Sequence, residues 1–444
     1  MPSNILDPDL EAAPAATLRR LENERLQQQI AYNHVASPYY REKLDAAGIR
    51  PGDIKSVEDL ARIPFMEKSE IASSQADGTI IGINQCAPLE RIVRIQATGG
   101  TTGQPMRLAL TKRDCEDYAR MGARALWAMG CRPGDVVFEC MNYNLYSGGM
   151  SDTTTFEQLG AATIPYGVGH TERLIEMMDA IKGDIAIWAT PSYAVRLAEV
   201  ATSLGRDPRR IGLRKGFFSG EAGMQVPGFR EKIEALWDMR AQDQYGTGEL
   251  GLHSGECEAR NGLHYGGLGS AILELIDPDT GQVLPFDDGR QGEAVYTSIW
   301  REASPLMRMR SHDLFQVFTE PCSCGRTSFR LKVLGRSDDM FIVKGVNIFP
   351  ASIYAVILKA GARVTGAFQV VLDRPPPIDY PVPIRVELAE GVPDGQHAEL
   401  EAELAQRLQQ ALNFTPSIRL EPAGTFATGL KVRRVVRSYR ETSS

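Results

Sequence analysis

The chain has 444 residues, room for two or three domains, and 43% of them are apolar, enough for a large core. A formal charge of −7 argues against non-specific nucleic-acid binding, and no run approaches the roughly 20 uncharged apolar residues of a membrane span. Seven cysteines, an odd number scattered along the chain, do not form a disulfide framework; the N-terminal MPSNILDPDLEAAP lacks the basic start and apolar run of a secretion signal, so a reducing cytoplasm is the expected setting.

In chain order, Leu18, Leu21, Leu26 and Ile30 recur at helical spacing and predict a helix over residues 18–40. RIVRIQ (Arg91–Gln96) and LALT (Leu108–Thr111) read as two strands around ATGGTTGQP, a strand–loop–strand hairpin. Residues 114–129 are helical and DVVFEC (Asp135–Cys140) is a strand. Helices over 174–181, 191–204 and 229–237 alternate with the short buried strands AIWAT and GFFSG, a pattern of α/β layers with much parallel sheet. Residues 263–317 turn mostly β, with the turn signal DPDTG at Asp277–Gly281. The tail predicts a helix at 352–359, strands FQVVLD and IRVEL around the proline-rich RPPPIDYPVP, and a helix over His397–Leu412 with Leu400, Leu404, Leu408 and Leu412 on one face. The expected fold is thus an α/β N-terminal domain with mixed sheets and a β-rich part, residues 1–335, followed by a small α+β domain, residues 336–444.

The glycine-threonine loop cannot pack a core and costs backbone entropy to order. It presents backbone N–H groups and small hydroxyls, the chemistry that wraps polyphosphate oxygens, yet it is neither a Walker loop nor a GxGxxG. Read alone, it is either a phosphate cradle or a surface loop.

Several motifs then occur in one order. TGGTTGQP resembles the phosphate-binding signature of adenylate-forming enzymes, the acyl-CoA synthetase superfamily. YGTGE (Tyr245–Glu249), MRMRSHDL with Asp313, GRSDDMFIVKGVNIFP (Gly335–Pro350), TGLKVRRVV (Thr428–Val436), YYREKLDAAGI and HTER (His170–Arg173) resemble segments of the phenylacetate–CoA ligase family within it. The matches span residues 18–440, and several motifs in one order are far more specific than any one alone.

The resemblance implies a large N-terminal domain and a small mobile C-terminal one, ATP, Mg²⁺ and coenzyme A as cofactor or substrates, and an aromatic carboxylic acid as the group activated. It implies that Thr98, Gly99, Gly100, Thr101, Thr102 and Gly103 hold the β- and γ-phosphates; the family often has lysine where this chain has Gln104, which removes a positive charge. Ser219, Gly220, Glu221 and Ala222 would pack on adenine, with Asp243, Gln244, Tyr245, Gly246 and Thr247 completing that wall and the Tyr245 ring stacking. Glu249 would carry Mg²⁺, which prefers oxygen ligands, with Thr247 supplying a hydroxyl where Gly248 replaces the family's Ser or Thr. Asp313 would accept the ribose hydroxyls and Arg336 approach ribose or phosphate. Lys431 would bridge the substrate carboxylate and α-phosphate, Asp338 would be the hinge, and Lys344 and Gly345 would lie on the coenzyme A side. The competing reading of Lys431, among three following arginines, is a basic surface patch.

MNYNLYSGG (Met141–Gly149) resembles the aromatic substrate loop, with Met141, Tyr143 and Tyr146 as acyl wall; Met141 stands where phenylacetate enzymes tend to have tyrosine, leaving room for a bulkier arylacetate such as indoleacetate. PCSCGR with Cys322 and Cys324, together with Cys257 and His264 across the Asn261–Gly262 turn, supplies three thiols and an imidazole, a tetrahedral structural Zn²⁺ set, with His253 as rival fourth ligand and reduced loop cysteines as the alternative. Nucleic acid and membrane are not expected partners, and a homodimer is left open. Two other functions compete: an adenylating enzyme that loads an aryl acid onto a carrier protein, and a silent nucleotide-binding regulator, against which the intact Glu249, Asp313 and Lys431 argue.

Overall fold

The computed structural model describes residues 4–76, 78–98, 105–145, 147–343, 346–378, 380–426 and 434–441. They divide into two compact units. The first holds the described residues of Met1–Thr98, Gln104–Ser311 and Phe315–Val333; the second holds those of His312–Leu314 and Leu334–Ser444.

In the first unit, a short helix α1 (Pro8–Glu11) precedes the long helix α2 (Ala15–Ala36) and α3 (Pro38–Ala46). The sequence predicts one helix over 18–40, but Ser37 is extended (φ −134°, ψ 127°) and Pro38 starts a new helix. Proline lacks the N–H that would continue α2 and forces its predecessor out of helical conformation. Helix α4 (Lys68–Ser74) leads to the predicted hairpin, β1 (Ile92–Ala97) antiparallel to β2 (Arg107–Thr111), with Ala97 opposite Arg107. Residues 99–104 between them lie outside the described residues.

The hairpin runs into helix α5 (Lys112–Ala128), whose N-terminus is closed by a capping box: Thr111 accepts from the Asp114 N–H, and Asp114 from the Thr111 N–H. The expected alternation follows: β3 (Val136–Glu139), α6 (Met150–Leu159), β4 (Ala162–Pro165), α7 (Thr171–Ala180), β5 (Ile185–Ala189), α8 (Pro191–Ser203), β6 (Leu213–Phe218), α9 (Phe229–Trp237) and β7 (Arg240–Thr247). Pairs β3–β4, β3–β5, β5–β6 and β6–β7 are parallel. The chain then turns to strands: β8 (Gly251–Glu256), β9 (Leu263–Tyr265), β10 (Ala271–Ile276), β11 (Val283–Leu284), β12 (Gln291–Ser298), β13 (Met309–Phe318) and β14 (Arg330–Arg336). One sheet runs in the order β11-β10-β12-β13-β14-β9-β8-β7-β6-β5-β3-β4. Strand β7 is where the sheet changes character, since it pairs parallel with β6 and antiparallel with β8. The predicted DPDTG turn forms, with the Asp277 carboxylate accepting from the Asp279 and Thr280 N–H groups.

The helices are drawn onto this sheet by apolar burial. Leu26, Ile30, Tyr40 and Leu44 join Leu263, Tyr265, Ile272, Leu275, Tyr296 and Phe315 in one core cluster. Helix α5 lies so close to β8 that a Cβ on Gly255 would sit 2.6 Å from the Ala125 carbonyl oxygen. The N-terminal segment is fastened by Glu11, whose carboxylate accepts from the Arg326 guanidinium at 2.7 Å while both side chains are buried. Among the described residues, no helix is long and apolar enough to cross a membrane.

The second unit contains a small hairpin, β15 (Phe341–Val343) with β16 (Val346–Ile348), then α10 (Pro350–Ile357), β17 (Val364–Leu372), β18 (Val382–Leu388), α11 (His397–Leu412), β19 (Pro416–Glu421), β20 (Val435–Arg437) and α12 (Ser438–Glu441). Its four-stranded sheet has the order β19-β18-β17-β20, antiparallel between β17 and β18 and parallel at both flanks. Leu400, Leu404 and Leu408 of α11 are buried as their spacing predicts, and Leu412 at the helix end is half-buried.

The approach of α5 to β8 makes a sharp test. Gly255→Ala forces a methyl against backbone atoms of Ala125 that cannot step aside, and is expected to cost about 1–3 kcal/mol. Gly52→Ala, where a Cβ meets nothing within 4 Å, is expected to leave stability nearly unchanged. Thermal unfolding of both variants beside the parent checks it; equal midpoints would show that the packing is looser than described.

Candidate functional site

In the first unit, three of the predicted motifs meet. Strand β1 is followed by Thr98, which donates its N–H to the Met106 carbonyl and packs so closely on the YGTGE turn that a Cβ on Gly248 would lie 2.9 Å from Thr98 Cγ2. That explains locally why position 248 carries glycine. Gln96 Nε2 donates to the Gly248 carbonyl at 3.2 Å, and Ala97 donates its N–H to the Leu145 carbonyl of the 141–149 loop at 2.7 Å. The start of the glycine-threonine loop, the end of β7 and the proposed acyl loop therefore share one neighbourhood.

Glu249 is buried there, 4% exposed, and its Oε1 lies 2.6 Å from Lys68 Nζ. Burial opposes ionisation of Glu249, but the Lys68 charge, with help from Thr247, outweighs it and holds the carboxyl below its ordinary value. The backbone is fixed as firmly: the Glu249 carbonyl accepts from the Tyr118 hydroxyl and from Arg301 Nη1 at 2.7 Å, and Thr247 Oγ1 accepts from the Leu250 N–H at 3.2 Å. An ionised carboxylate with a hydroxyl beside it is the donor set that Mg²⁺ takes, so the residues present fit that ion, with Lys68 already opposite the charge. Nothing in the sequence singles out Lys68, which opens α4 some 180 residues before Glu249.

The residues expected to line adenine also sit in this unit. Ser219 donates its N–H to the Ala189 carbonyl, and Gly220 takes φ +82°, a turn that costs glycine little. Glu221 accepts from the Ser192 hydroxyl at 2.7 Å, and Ala222 opens a short 3₁₀ turn. Asp243 and Gln244 are buried on β7; burial first, then the nearby Glu256 charge, push Asp243 up to about 7. The Tyr245 ring is gripped edge-on by His253 and Phe315, with centroids at 5.3 and 5.1 Å, and Gly246 lies against the Gly251 carbonyl.

The 141–145 segment, expected to wall the acyl group, is anchored from beneath. Met141 donates its N–H to Glu139 Oε1 at 2.9 Å, and the Tyr143 hydroxyl pairs with Thr153 Oγ1 at 2.6 Å. Met141 also reaches the adenine-side turn: a Cβ on Gly220 would meet its Cε at 3.8 Å. Glu139 and, on α6, Asp152 are buried acids that the sequence patterns do not flag, because a single acid in a strand or helix carries no motif.

In the second unit, Arg336 holds Asp338 through two hydrogen bonds, at 2.8 and 2.6 Å, and lies 3.5 Å from Asp313. Its burial opposes the charge, yet the surrounding carboxylates raise it above the ordinary arginine value. The Asp338 carbonyl accepts from Arg437 at 2.8 Å, so the proposed hinge residue is tied at both side chain and backbone. Gly99, Gly100, Thr101, Thr102, Gly103, Tyr146, Lys344, Gly345 and Lys431 lie outside the described residues.

Cys257, His264, Cys322 and Cys324 come together with all their ligand atoms within 4.8 Å of one another. The Cys257–Cys322 sulfur separation of 3.6 Å is far beyond a disulfide bond, and Cys324 Sγ lies 3.3 Å from His264 Nε2. Edges of about 3.5–3.8 Å are what a tetrahedron with Zn–S near 2.3 Å and Zn–N near 2.0 Å requires, so these residues fit zinc. The bond shared with Cys257 holds the Cys324 thiol far below its usual range and pushes the Cys257 thiol up. His264 Nδ1 pairs with Ser328 Oγ at 3.2 Å, which orients the ring. The rival His253 is elsewhere: it is fully buried, its nitrogens engaged by the Gly251 carbonyl and the Tyr296 hydroxyl, and burial drives it down to about 4.

Comparison with known proteins matches this geometry to a family. Residues 345–438 match the AMP-binding enzyme C-terminal domain. The chain is 33% identical to the phenylacetate-coenzyme A ligase of Thermus thermophilus over 97% of its own length and 99% of the relative's. It is also 33% identical to that of Aromatoleum evansii, over 90% and 88%. Among solved structures, 2-hydroxyisobutyryl-CoA ligase in the postadenylation state with its acyl-AMP aligns with a TM-score of 0.86 and 32% identity, covering 99% of this chain and 94% of the other. With a mixed-sheet N-terminal unit, a small C-terminal sheet and the YGTGE and Cys/His segments in place, the chain belongs to the phenylacetate–coenzyme A ligase family of adenylate-forming enzymes and is an AMP-forming acyl-CoA ligase.

Proposed function

We propose that the acid it activates is aromatic, phenylacetate- or indoleacetate-like, and that coenzyme A is the acceptor. The observation that supports this reading is the meeting of Thr98, Gly248–Glu249 and the Met141–Leu145 loop, which puts the loop read as acyl wall beside residues suited to nucleotide phosphates. The phenylacetate-coenzyme A ligases among its relatives support the aromatic acid. A small hydroxy acid is the second reading, supported by the 2-hydroxyisobutyryl-CoA ligase structure. Loading of a carrier protein is the third; thioester formation with coenzyme A alone excludes it.

In this reading a substrate carboxylate oxygen bonds to the α-phosphorus of ATP as the bond to the β-phosphate oxygen breaks, releasing pyrophosphate. The coenzyme A thiol then adds to the acyl carbon, AMP leaves, and the thiol proton is lost to solvent. Gly99–Gly103 with Thr98 cradle the β- and γ-phosphates, and Lys431 neutralises charge between carboxylate and α-phosphate. Ser219–Ala222 and Asp243–Thr247 line the adenine, and Asp313 with Arg336 take the ribose. Glu249 and Thr247 would hold Mg²⁺, which supplies further neutralisation of phosphate charge when bound. Zinc at Cys257, His264, Cys322 and Cys324 would be structural, since four protein ligands leave no open position.

A panel of aromatic acids and 2-hydroxyisobutyrate, assayed for AMP release and coenzyme A thioester, tests the reading; turnover of aliphatic hydroxy acids alone would reject the aromatic assignment. Two half-reactions separate the roles further. Lys431→Ala is expected to reduce adenylate formation by a factor on the order of 10² or more, while supplied acyl-adenylate still becomes acyl-CoA. Asp338→Pro is expected to keep adenylation and lose thioester formation, because a fixed φ stiffens the hinge. Equal slowing of both steps by Lys431→Ala would make that lysine structural. For the metal, protein purified without added zinc should contain it stoichiometrically by elemental analysis. Cys324→Ser should lower both the content and the unfolding temperature; zinc-free protein with all four side chains intact would reject the site.

A further inference from the structure

Two acids beneath the acyl loop have no part in the chemistry just described. Glu139 ends strand β3, 0% exposed; its Oε1 accepts from the Met141 N–H, while Oε2 has no hydrogen-bond partner among the described residues. The Tyr143 hydroxyl comes within reach of the Glu139 carboxylate, but its well-formed bond, at 2.6 Å, is to Thr153 Oγ1. Asp152 sits in the first turn of α6, 6% exposed, with its Oδ2 accepting from Trp188 Nε1 at 2.8 Å. Trp188 is the β5 residue paired with Glu139 across the sheet, so both acids face one small volume. Gly148 covers that volume only thinly: a Cβ there would lie 3.6 Å from Asp152 Oδ2 and 3.8 Å from Met141 Cβ, with nothing nearer.

Burying one carboxylate without a full set of partners is costly, and two together repel. Burial first, then the charge of Asp152, raises Glu139 to about 8; burial raises Asp152 to about 7. Near neutral pH such a pair shares about one proton and keeps a net negative charge. An anionic substrate carboxylate is repelled from it, so a bound acid must turn its other end this way. A plain hydrocarbon ring would leave Glu139 Oε2 unpaired; a hydroxyl satisfies it in either protonation state, and an N–H or ammonium does so as the shared proton is released to solvent.

Resting on the reading of Met141–Gly149 as acyl wall, we infer that the enzyme selects acids bearing, besides the carboxylate to be activated, a hydrogen-bond donor (hydroxyl, ring N–H or amine) that docks on Glu139 and Asp152 past the thin cover at Gly148. Glu139 is then a specificity-determining residue rather than a catalytic one.

The test compares kcat/KM for AMP release with phenylacetate, 4-hydroxyphenylacetate, indole-3-acetate and 4-(aminomethyl)phenylacetate. The parent enzyme is expected to favour at least one donor-bearing acid over phenylacetate by about tenfold or more, since a site built to hydrogen-bond a donor discriminates against its absence. Glu139→Leu is expected to collapse that ratio toward unity with the KM for ATP unchanged, and Glu139→Gln, which keeps the shape and an acceptor, to retain part of it. A parent ratio within about threefold for every donor-bearing acid overturns the inference without needing any variant to fold. A ratio that Glu139→Leu leaves intact, with all acids slowed alike, overturns it too and marks Glu139 as a prop for the loop. Absence of AMP from the whole panel would instead defeat the aromatic-acid reading on which it rests, and the inference with it.

Discussion

Strand β7 bears two incompatible demands. It must pair in parallel with β6, because that side of the sheet is built from strand–helix–strand crossovers, and antiparallel with β8, because the chain turns straight back on itself. The reversal takes place at Thr247–Gly251, where Gly246 and Gly251 approach backbone to backbone and no side chain fits. The tight turn throws the Glu249 carboxylate into the unit, against Lys68, and sets Gly248 against Thr98. A ligand site at the carboxyl end of a parallel strand, where the pairing pattern changes, is what open α/β sheets provide.

Buried charge is the second theme. The first unit holds Glu11–Arg326, Glu274–Arg308 and Glu293–Arg310 as close ion pairs at its seams. Such pairs return little net stability, but removing one partner strands a charge, so they fix register between segments far apart in sequence. Glu249 with Lys68 has the same form at a functional position. Glu139 and Asp152 differ: among the described residues neither pairs with a cation, and each is raised rather than depressed. That difference in electrostatic balance sets the two acids apart from those that hold the fold together.

The Cys/His cluster shows how connection follows from topology. Cys257 and His264 flank the turn between β8 and β9, and β14 pairs with β9 so that Arg330 faces His264. The segment entering β14 thereby delivers Cys322 and Cys324 to the same corner, and Arg326 ties that corner to Glu11 at the start of the chain. The Cys/His cluster, the N-terminal segment and the β-rich half are thereby tied together.

Local chemistry was legible in the sequence. The 2.0 and 3.6 periods located the strands and helices, because each element buries one face and the spacing follows from backbone geometry. The glycine-threonine loop, YGTGE and the Cys-x-Cys segment could be named because their residue types are unusual for a core or surface. Where local physics was read incompletely, at Ser37–Pro38, the missing N–H of a single proline split a predicted helix. Tertiary structure decided what no period encodes. It paired Lys68 with Glu249, chose His264 over His253 by placing one ring beside three sulfurs and the other inside an aromatic cage, and set Glu139 near Asp152 beneath Met141. Each of these depends on residues brought together by sheet order and helix packing, and burial then fixes their charge. Sequence specifies which groups are present, while only the packed sheet determines which of them share a low-dielectric space.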